Sequence, residues 1–493
     1  MIKYISTRGK GQPRSSASAV IKGISEDKGL FVPETIPVLP FKPSEMVGRP
    51  YRDIAEAVIG TFFDDYSPEE LRQCVDGAYD AKFEANDIVP VEAAGGVYFL
   101  ELYHGRTAAF KDMALSILPY LMTTAVKKEQ EEKQIVILTA TSGDTGKAAL
   151  EGFADVEGTQ IIVFYPSTGV SEVQKRQMTT QEGANTHVFG ILGNFDDAQT
   201  GVKEIFDDHA FNSALEERGF RLSSANSINI GRLVPQVAYY VYGYIQLIEK
   251  GVIQDGEPVN IVVPTGNFGN ILASYYASQM GIPVNRFICA SNRNKVLTDF
   301  LNTGVYDIHR DFYVTCSPSM DILISSNLER LLYHLSGDSD EVASMMEQLS
   351  EKGTYEVSGR IRDGLKDFFG GFADDEETLR TIAAMYEEEG YLMDTHTAVA
   401  FKVYEDYRNE TGDETPTLIA STASAYKFAS NVASALGLPA AADGFAAVRE
   451  LEEKTGVAVP TGLRDLDRKA VYHDNVIDKN ELREAIFASL RQE

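Results

Sequence analysis

Short runs of β-forming residues alternate with stretches of helical periodicity through most of the chain after Val97. Such alternation is typical of parallel strands in a sheet that is covered by helices on both faces. Ligands of these sheets bind beyond the carboxyl ends of the strands, so a site is expected in the loops at that edge. The runs that we predict as strands occupy residues 135–138, 160–164, 186–189, 261–263, 286–290 and 418–420.

Length and charge restrict the kind of protein further. At 493 residues the chain is too long for one hydrophobic core, and two or three domains are expected. Lys plus Arg number 45 against 73 Asp plus Glu, which gives a formal net charge of −28. Nucleic acids and anionic membranes need basic contact surfaces, so neither is expected as a partner. An anionic substrate must instead be attracted by local positive charge.

The cysteines and histidines show no metal-binding or disulfide pattern. Cys74, Cys289 and Cys316 are widely spaced, which fits a reducing cytoplasm. His396, in D-T-H-T, is expected to order a loop rather than to transfer protons. No apolar run approaches ~18 residues, and residues 1–25 lack the apolar core of a signal peptide. We therefore expect a cytoplasmic protein without a metal site or a membrane span.

A glycine-rich turn at residues 264–270 follows one of the predicted strands and precedes a predicted helix. Gly266 and Gly269 let the backbone approach a ligand closely. The unpaired N–H groups of such a turn, reinforced by the helix dipole, suit an anion such as phosphate. The G-x-G-x-x-G spacing of a dinucleotide site is absent. An ordinary turn with an asparagine cap stays open as the alternative.

A second polar loop lies at residues 138–150, again between a predicted strand and a predicted helix. Its hydroxyls and backbone N–H groups suit a carboxylate. A nucleotide-binding P-loop is excluded, because Thr141 stands where that motif requires glycine and Ala148 replaces the Ser or Thr that would hold magnesium.

Lys111 stands at the start of a predicted helix, in the segment G-R-T-A-A-F-K-D. Apolar residues recur at helical spacing after it. The positive end of a helix disfavours an ammonium and lowers the pKa of the lysine, which favours the amine that attacks an aldehyde. Most lysines at such positions are simply solvated, so a catalytic role depends on a phosphate site elsewhere in the chain.

Three motifs in this order resemble the threonine synthase family, fold type II enzymes that depend on pyridoxal phosphate (PLP). They are A-F-K-D at residues 109–112, T-S-G-D-T-G-K at 141–147 and P-T-G-N-F-G-N at 264–270. Further matches are Y-I-S-T-R-G at 4–9, G-L-F-V-P at 29–33, N-S-I-N at 226–229 before Arg232, and S-T-A-S at 421–424 before Lys427. The chain departs from the family pattern at Arg106 and Ala425, where proline is usual or frequent, and at Thr395, which interrupts a usual D-P-H-T-A.

The resemblance implies an α/β fold similar to tryptophan synthase β, with two open twisted-sheet domains and an N-terminal domain. The implied N-terminal domain covers residues 1–95, and the small α/β domain covers residues 136–235. The large domain, which would bind the cofactor, covers residues 96–135 and 236–493, with a helical insertion at about 338–390.

The resemblance also implies roles for individual residues. Lys111 would form the Schiff base with PLP and act as the catalytic base. Thr422 would hydrogen-bond the pyridine nitrogen, although capping the next helix is an alternative role for it. The cofactor phosphate would be held by Gly266, Asn267, Phe268, Gly269 and Asn270. The substrate carboxylate would be held by Thr141, Ser142, Gly143, Asp144 and Thr145. The candidates for the substrate phosphate are Lys175, Arg176, Asn226 and Arg232.

The activity implied is the conversion of O-phospho-L-homoserine and water to L-threonine and phosphate, by a monomer or homodimer that acts on this small molecule. Two alternatives remain open. Another fold type II enzyme, such as a threonine dehydratase or a cysteine synthase, would share the lysine and both glycine-containing loops. A non-catalytic homologue that binds PLP or phosphate would be expected to lose the lysine or the carboxylate loop, and this chain keeps both.

Overall fold

The computed structural model describes residues 1–85, 87–141, 143–168 and 170–490. Its strands are β1 (Tyr4–Ser6), β2 (Phe31–Pro33), β3 (Val91–Ala94), β4 (Val97–Glu101), β5 (Gln134–Ala140), β6 (Thr159–Pro166), β7 (Thr186–Leu192), β8 (Phe220–Ser223), β9 (Val259–Pro264), β10 (Val284–Ser291), β11 (Val305–Asp307), β12 (Thr354–Glu356), β13 (Phe368–Phe372), β14 (Thr417–Ser421) and β15 (Val476–Asp478).

The α-helices are α1 (Ser16–Lys22), α2 (Tyr51–Phe62), α3 (Pro68–Ala78), α4 (Asp112–Leu115), α5 (Leu118–Lys128), α6 (Asp144–Phe153), α7 (Glu172–Thr179), α8 (Phe195–Asp207), α9 (His209–Glu216), α10 (Ile230–Glu249), α11 (Gly269–Gln279), α12 (Val296–Thr303), α13 (Leu328–Ser336), α14 (Ser339–Lys352), α15 (Gly359–Gly364), α16 (Asp375–Glu389), α17 (Thr395–Thr411), α18 (Ala429–Ala435), α19 (Gly444–Thr455) and α20 (Leu482–Ser489). Turns of 3₁₀ helix occupy Pro43–Met46, Pro318–Met320, Leu365–Asp367, Ala425–Phe428 and Leu466–Arg468.

Two sheets form the centre of the molecule. The larger has the order β13-β10-β9-β14-β4-β3, in which β3 alone runs antiparallel to its neighbour, and the smaller has the order β15-β7-β6-β5-β8 with every pairing parallel. Their central strands are continuous runs of β-branched and apolar residues, and every residue of β9 is buried. Such runs are typical of parallel strands that are covered on both faces. The predicted runs lie within β5, β6, β7, β9, β10 and β14.

The helix α10 packs against helices from several regions of the chain. It is apolar around almost its whole circumference, and it packs against α2, α4, α5 and α11. A helix that is apolar on all sides is stable only when it is buried on all sides. The N-terminal ribbon of β1 and β2, together with α1 to α3, therefore belongs to one continuous apolar core with the larger sheet. No helix in the described part of the chain is long and apolar enough to cross a membrane.

The predicted domain bounds stay a prediction, but strand pairing departs from them in three places. The strand β3, predicted within the N-terminal domain, pairs with β4 in the larger sheet. The predicted helical insertion contains β13, which pairs with β10 because its apolar F-F-G-G-F run is a strand within an acidic segment. The strand β15, predicted within the large domain, pairs with β7 in the smaller sheet, and α20 packs against α8. Local sequence signals do not show which sheet an isolated strand joins.

We expect α20 to contribute to the stability of the smaller sheet through Ile486, which is fully buried in the cluster under β5 and β6. Ile486→Ala should lower the free energy of unfolding by about 2–5 kcal/mol, because it removes buried methylene groups and leaves a cavity. Glu484→Ala, on the exposed side of the same helix, should change it by less than about 0.5 kcal/mol. Urea unfolding followed by tyrosine fluorescence measures both, since the chain has no tryptophan. Equal effects of the two variants would contradict this packing.

Candidate active site

The predicted loops converge at the carboxyl ends of β4, β14, β9 and β5. The loop that carries Lys111 is fastened to the loop after β14, because the Phe110 N–H donates to the Thr422 carbonyl at 2.8 Å and the Ser424 N–H donates to the Ala108 carbonyl at 3.0 Å. Ala108 has φ 56°, a left-handed conformation that is strained for a residue with a side chain. This strain and the crossing of two loops fix the position from which Lys111 enters the site.

Lys111 precedes α4, and its side chain is 12% exposed. Its Nζ lies 3.4 Å from Oδ2 of Asp144 and 5.5 Å from the centre of the Phe110 ring. Burial lowers the pKa of Lys111, and the neighbouring cations Lys427 and Arg232 lower it further against the opposing effect of Asp144. The lysine is therefore biased towards the neutral amine, although burial rather than the helix dipole is the main cause.

The turn between β9 and α11 is built for close approach of its backbone. Phe268 has φ 63°, and a Cβ atom on Gly266 would lie only 2.6 Å from the Ser319 carbonyl oxygen. The amide of Asn270 accepts hydroxyl hydrogen bonds from Tyr239 and Tyr240, each at 2.6 Å. Within the described part of the chain, its buried Nδ2 has no hydrogen-bond acceptor.

The start of α11 thus fits an anion such as a phosphate group. A helix N-terminus presents unpaired backbone N–H groups to an anion. The buried Nδ2 of Asn270 beside them is destabilising while it lacks an acceptor, so binding of an anion there would be favourable. Gly266, Asn267, Phe268, Gly269 and Asn270 all lie in this turn or in the first helical residues. These residues would fit the phosphate of PLP.

The turn is covered by residues 317–327, which the sequence patterns did not single out. The Ser325 hydroxyl donates to the Gly266 carbonyl at 2.7 Å. Both the backbone N–H and the side-chain amide of Asn327 donate to the Asn267 carbonyl at 3.0 Å. The Ser319 N–H donates to Nε2 of His396 at 3.1 Å. This segment therefore sets the shape of the glycine-rich turn from outside.

Arg330 holds that covering segment in place and is fully buried. It donates to the Phe31 carbonyl at 2.9 Å, to the Ile228 carbonyl at 2.6 Å and to the side-chain oxygen of Asn327. Burial lowers the pKa of Arg330 to about 10. The motifs G-L-F-V-P and N-S-I-N, far apart in sequence, thus meet at one guanidinium.

The loop after β5 has Thr141 as its organising residue. The Thr141 hydroxyl oxygen accepts the N–H groups of Gly143 at 3.0 Å and Gly146 at 2.9 Å, which bends the chain into the first turn of α6. Ser142 lies outside the described residues. Thr145 is half-buried in that first turn. The backbone N–H groups at the start of a helix of this kind suit a carboxylate.

Asp144, the first residue of α6, is in contact with two lysines. Its Oδ1 lies 3.0 Å from Nζ of Lys427 and accepts the Gln174 amide at 2.8 Å, and its Oδ2 faces Lys111 and accepts the Ser319 hydroxyl at 3.3 Å. Burial alone would raise the pKa of Asp144, but the two ammonium groups outweigh it and hold that pKa well below its usual range. Lys427 was not predicted as a site residue, because its partners lie far away in sequence.

The predicted phosphate candidates have different surroundings. Arg232, near the start of α10, is 3% exposed; its Nη1 donates to the Ala225 carbonyl at 3.0 Å, and its Nε has no acceptor in the described ranges. Asn226 is half-buried in the preceding loop. Lys175 is exposed on α7 and makes no side-chain hydrogen bond within the part of the chain that the structure describes. Arg176 donates to the carbonyls of residues 466, 467 and 469, so its guanidinium holds a distant segment.

The departures from the family pattern lie around the site. Arg106 points outward and pairs with Glu151, at 3.0 Å between Nη1 and Oε1. Thr395 is buried at the start of α17, and Ala425 is buried in a 3₁₀ turn. Among the described residues, no group of three or more His, Cys, Asp or Glu side chains could hold a metal ion.

We expect Arg330→Met to reduce stability strongly, because it leaves buried acceptors at Phe31, Ile228 and Asn327 without a donor. The loss should be about 3 kcal/mol or more. Arg362→Ala, which removes an exposed ion pair with Glu356, should cost no more than about 1 kcal/mol. Urea unfolding of both variants gives the comparison. A loss for Arg330→Met no larger than that of the control would show that the three acceptors find other partners.

Comparisons with known proteins agree with this geometry. The family profile "Threonine synthase N terminus" matches residues 3–79, "Pyridoxal-phosphate dependent enzyme" matches residues 86–422, and "Threonine synthase, C-terminal" matches residues 397–466. Threonine synthase from Pseudomonas aeruginosa is 36% identical over 484 residues, which are 96% of this chain and 99% of that protein.

A PLP-bound threonine synthase from Brucella melitensis superimposes with a TM-score of 0.88 at 33% identity, covering 100% of both chains. "Threonine synthase-like 1" from Pongo abelii is 39% identical over 455 residues, which are 88% of this chain and 60% of that protein. The chain thus spans about 60% of the length of this mammalian relative. Profiles, identity and fold agree, and the chain belongs to the threonine synthase family of pyridoxal-phosphate dependent enzymes.

Proposed function

We propose that the chain is a threonine synthase, which converts O-phospho-L-homoserine and water to L-threonine and phosphate with PLP as its cofactor. The relative from Pseudomonas aeruginosa, which bears that name and aligns over nearly its full length, supports this proposal. The observation that carries it is the proximity of the partly buried Lys111, a glycine-rich turn that suits an anion, and the Arg232 guanidinium, whose buried Nε has no acceptor among the described residues. Such a site suits a substrate and a cofactor that each carry a phosphate.

When it is bound, PLP supplies the electron sink for negative charge that develops on the substrate. The residues from Gly266 to Asn270 would hold its phosphate through the start of α11. The hydroxyl of Thr422 would donate a hydrogen bond to the pyridine nitrogen. A hydroxyl cannot keep that nitrogen protonated as a carboxylate would, so Thr422 favours a weaker sink and fewer side reactions.

The substrate would be oriented by three groups of residues. The predicted carboxylate ligands Thr141, Ser142, Gly143, Asp144 and Thr145 would bind its carboxylate. Arg232 would bind its phosphate through Nε, with Asn226 beside it and Lys175 as an outer candidate. Binding the substrate at both ends would orient the Cα–H bond so that its proton can be removed.

Lys111 would move the protons. Its Nζ, released from the cofactor, would take the proton from Cα and then one from Cβ, and phosphate would leave from Cγ. Nζ would return one of these protons to Cγ, which becomes the methyl group, and the other to Cα once the hydroxyl of water has added at Cβ. The bias of Lys111 towards the neutral amine supports this role. The released phosphate would itself accept the proton of the attacking water.

The cellular compartment, the oligomeric state and the type of partner are also part of the proposal. We propose a reducing cytoplasm, since the free cysteines Cys74 and Cys289 are buried, and a monomer or homodimer that acts on a small molecule rather than on nucleic acid or a membrane. A threonine dehydratase activity is the rival to exclude. The deciding experiment compares phosphate release and threonine formation from O-phosphohomoserine with ketoacid formation from threonine. Ketoacid formation without phosphate release would overturn the proposal.

Lys111→Ala should abolish turnover and covalent attachment of PLP together. Borohydride reduction followed by peptide mass spectrometry maps the attached cofactor. Lys366→Ala, which changes an exposed lysine, is the control and should keep the label on Lys111. A label that persists in Lys111→Ala, for example on the buried Lys147, would show that the assignment is wrong.

Arg232→Leu should weaken use of the phosphorylated substrate far more than binding of PLP. Loss of a buried cation from a phosphate costs about 3 kcal/mol or more, or about 100-fold in kcat/KM, whereas the cofactor keeps its own amide groups. Lys175→Ala should have a smaller effect, because that lysine is exposed. The measurements are kcat/KM for O-phosphohomoserine and the Kd of PLP. Equal losses in both quantities would instead assign Arg232 a structural role.

A further inference from the structure

One buried carboxylate lies between two lysines, of which Lys427 is buried and Lys111 is partly buried. Nζ of Lys427 is 3.0 Å from Oδ1 of Asp144, and Nζ of Lys111 is 3.4 Å from Oδ2. The side chain of Lys427 has no exposed surface, and that of Asp144 is 5% exposed. The two lysines therefore compete for a single negative charge from which water is largely excluded.

The contacts favour Lys427 in this competition. Its Nζ also donates to the Thr107 carbonyl at 2.8 Å and lies 3.2 Å from the side-chain oxygen of Gln177. Its hydrogen-bonding capacity is thus satisfied by three acceptors, which is what a buried ammonium requires. Lys111 has Asp144 as its hydrogen-bond acceptor in the described part of the chain, and the distance is longer.

A lysine that must attack an aldehyde has to be neutral, and a carboxylate on its own at 3.4 Å opposes this. At short range in a buried site, an ion pair stabilises the ammonium strongly. Asp144 would therefore hold Lys111 in its charged, unreactive form if nothing else shared that carboxylate. A second cation that is held next to Asp144 weakens the stabilisation of the Lys111 ammonium by that carboxylate.

We propose that Lys427 is a positioning residue that keeps Lys111 reactive: it occupies the Asp144 carboxylate through its ion pair at 3.0 Å and leaves Lys111 free to lose its proton. Lys427 touches neither substrate nor cofactor in this role and acts through Asp144. The inference rests on the proposed function only in taking Lys111 as the lysine that captures PLP.

The charged groups around Lys111 set the sign of the expected effects. Asp144 faces it from α6, Lys427 from the 425–428 turn and Arg232 from α10. Asp112, on the helix of Lys111 itself, accepts from the Thr107 N–H and hydroxyl, and burial raises its pKa to about 6. Loss of a cation from this group should raise the pKa of Lys111, and loss of the anion should lower it.

The test measures how fast the cofactor-free, full-length chain takes up PLP as a function of pH. In this reaction the Lys111 ammonium releases one proton to solvent, and the amine condenses with the aldehyde and expels one water. Borohydride then donates a hydride that makes the bond permanent, and mass spectrometry quantifies the label on Lys111. The variants are Lys427→Met, Lys427→Arg, Asp144→Asn and the double variant Lys427→Met with Asp144→Asn.

The pH midpoint of uptake should rise by about one unit or more in Lys427→Met, since Asp144 then pairs with Lys111 alone. It should fall in Asp144→Asn and return towards the wild-type value in the double variant. Lys427→Arg keeps the charge and should leave the midpoint nearly unchanged.

An unchanged midpoint in Lys427→Met, in protein whose circular dichroism is native, would overturn the proposal and leave Lys427 a packing residue. If Lys427→Met does not fold, an Asp144→Asn midpoint that fails to fall would overturn it equally. Failure of the underlying assignment is distinguishable, because the label would then appear on a residue other than Lys111 in the wild-type chain.

Discussion

The buried guanidinium of Arg330 fixes the relative positions of the parts that form the site. Transfer of such a group from water is costly, and it is offset here by acceptors from three separate segments. Phe31 belongs to the N-terminal ribbon, Ile228 to the loop before α10, and Asn327 to the segment that covers the glycine-rich turn. A change in any one of these segments is therefore transmitted to the turn that would hold a phosphate.

The electrostatics of the site are opposite to those of the whole chain. The net charge is −28, yet Lys427, Arg232 and Arg330 are buried in or near the site, with Asp144 as the carboxylate in direct contact with two lysines. Exposed charges more than about 10 Å away are screened by salt, whereas buried charges are not. A dianionic phosphate in this site would therefore interact with the local cations more strongly than with the acidic surface.

The strands and the loops of the site could be predicted from sequence, because their signals are local. A β-branched run followed by glycine and then helical spacing identified the turn at Gly266 and the loop at Asp144. Arg330 and Lys427 could not be predicted in the same way, since their acceptors lie up to 320 residues away in sequence. The pairing of β15 with β7 could not be predicted from position along the chain, because strand pairing depends on residues that are far apart in sequence. Thr141 as a ligand stays a prediction, and the structure adds that its hydroxyl oxygen accepts two backbone N–H groups of its own loop.

His396 was predicted to order a loop, and its contacts fit that role. Its Nδ1 lies 2.7 Å from Asp394, and its Nε2 accepts the Ser319 N–H, so both ring nitrogens are occupied. The Ser319 hydroxyl in turn donates to Asp144, while its carbonyl lies against Gly266. The imidazole thus holds Ser319, which belongs to the segment that shapes the turn. Ser319 itself contacts the carboxylate that lies between the two lysines. Loss of the hydrogen bond from the Ser319 N–H would release the segment that shapes the turn, so the position of that segment depends on a side chain at the start of α17.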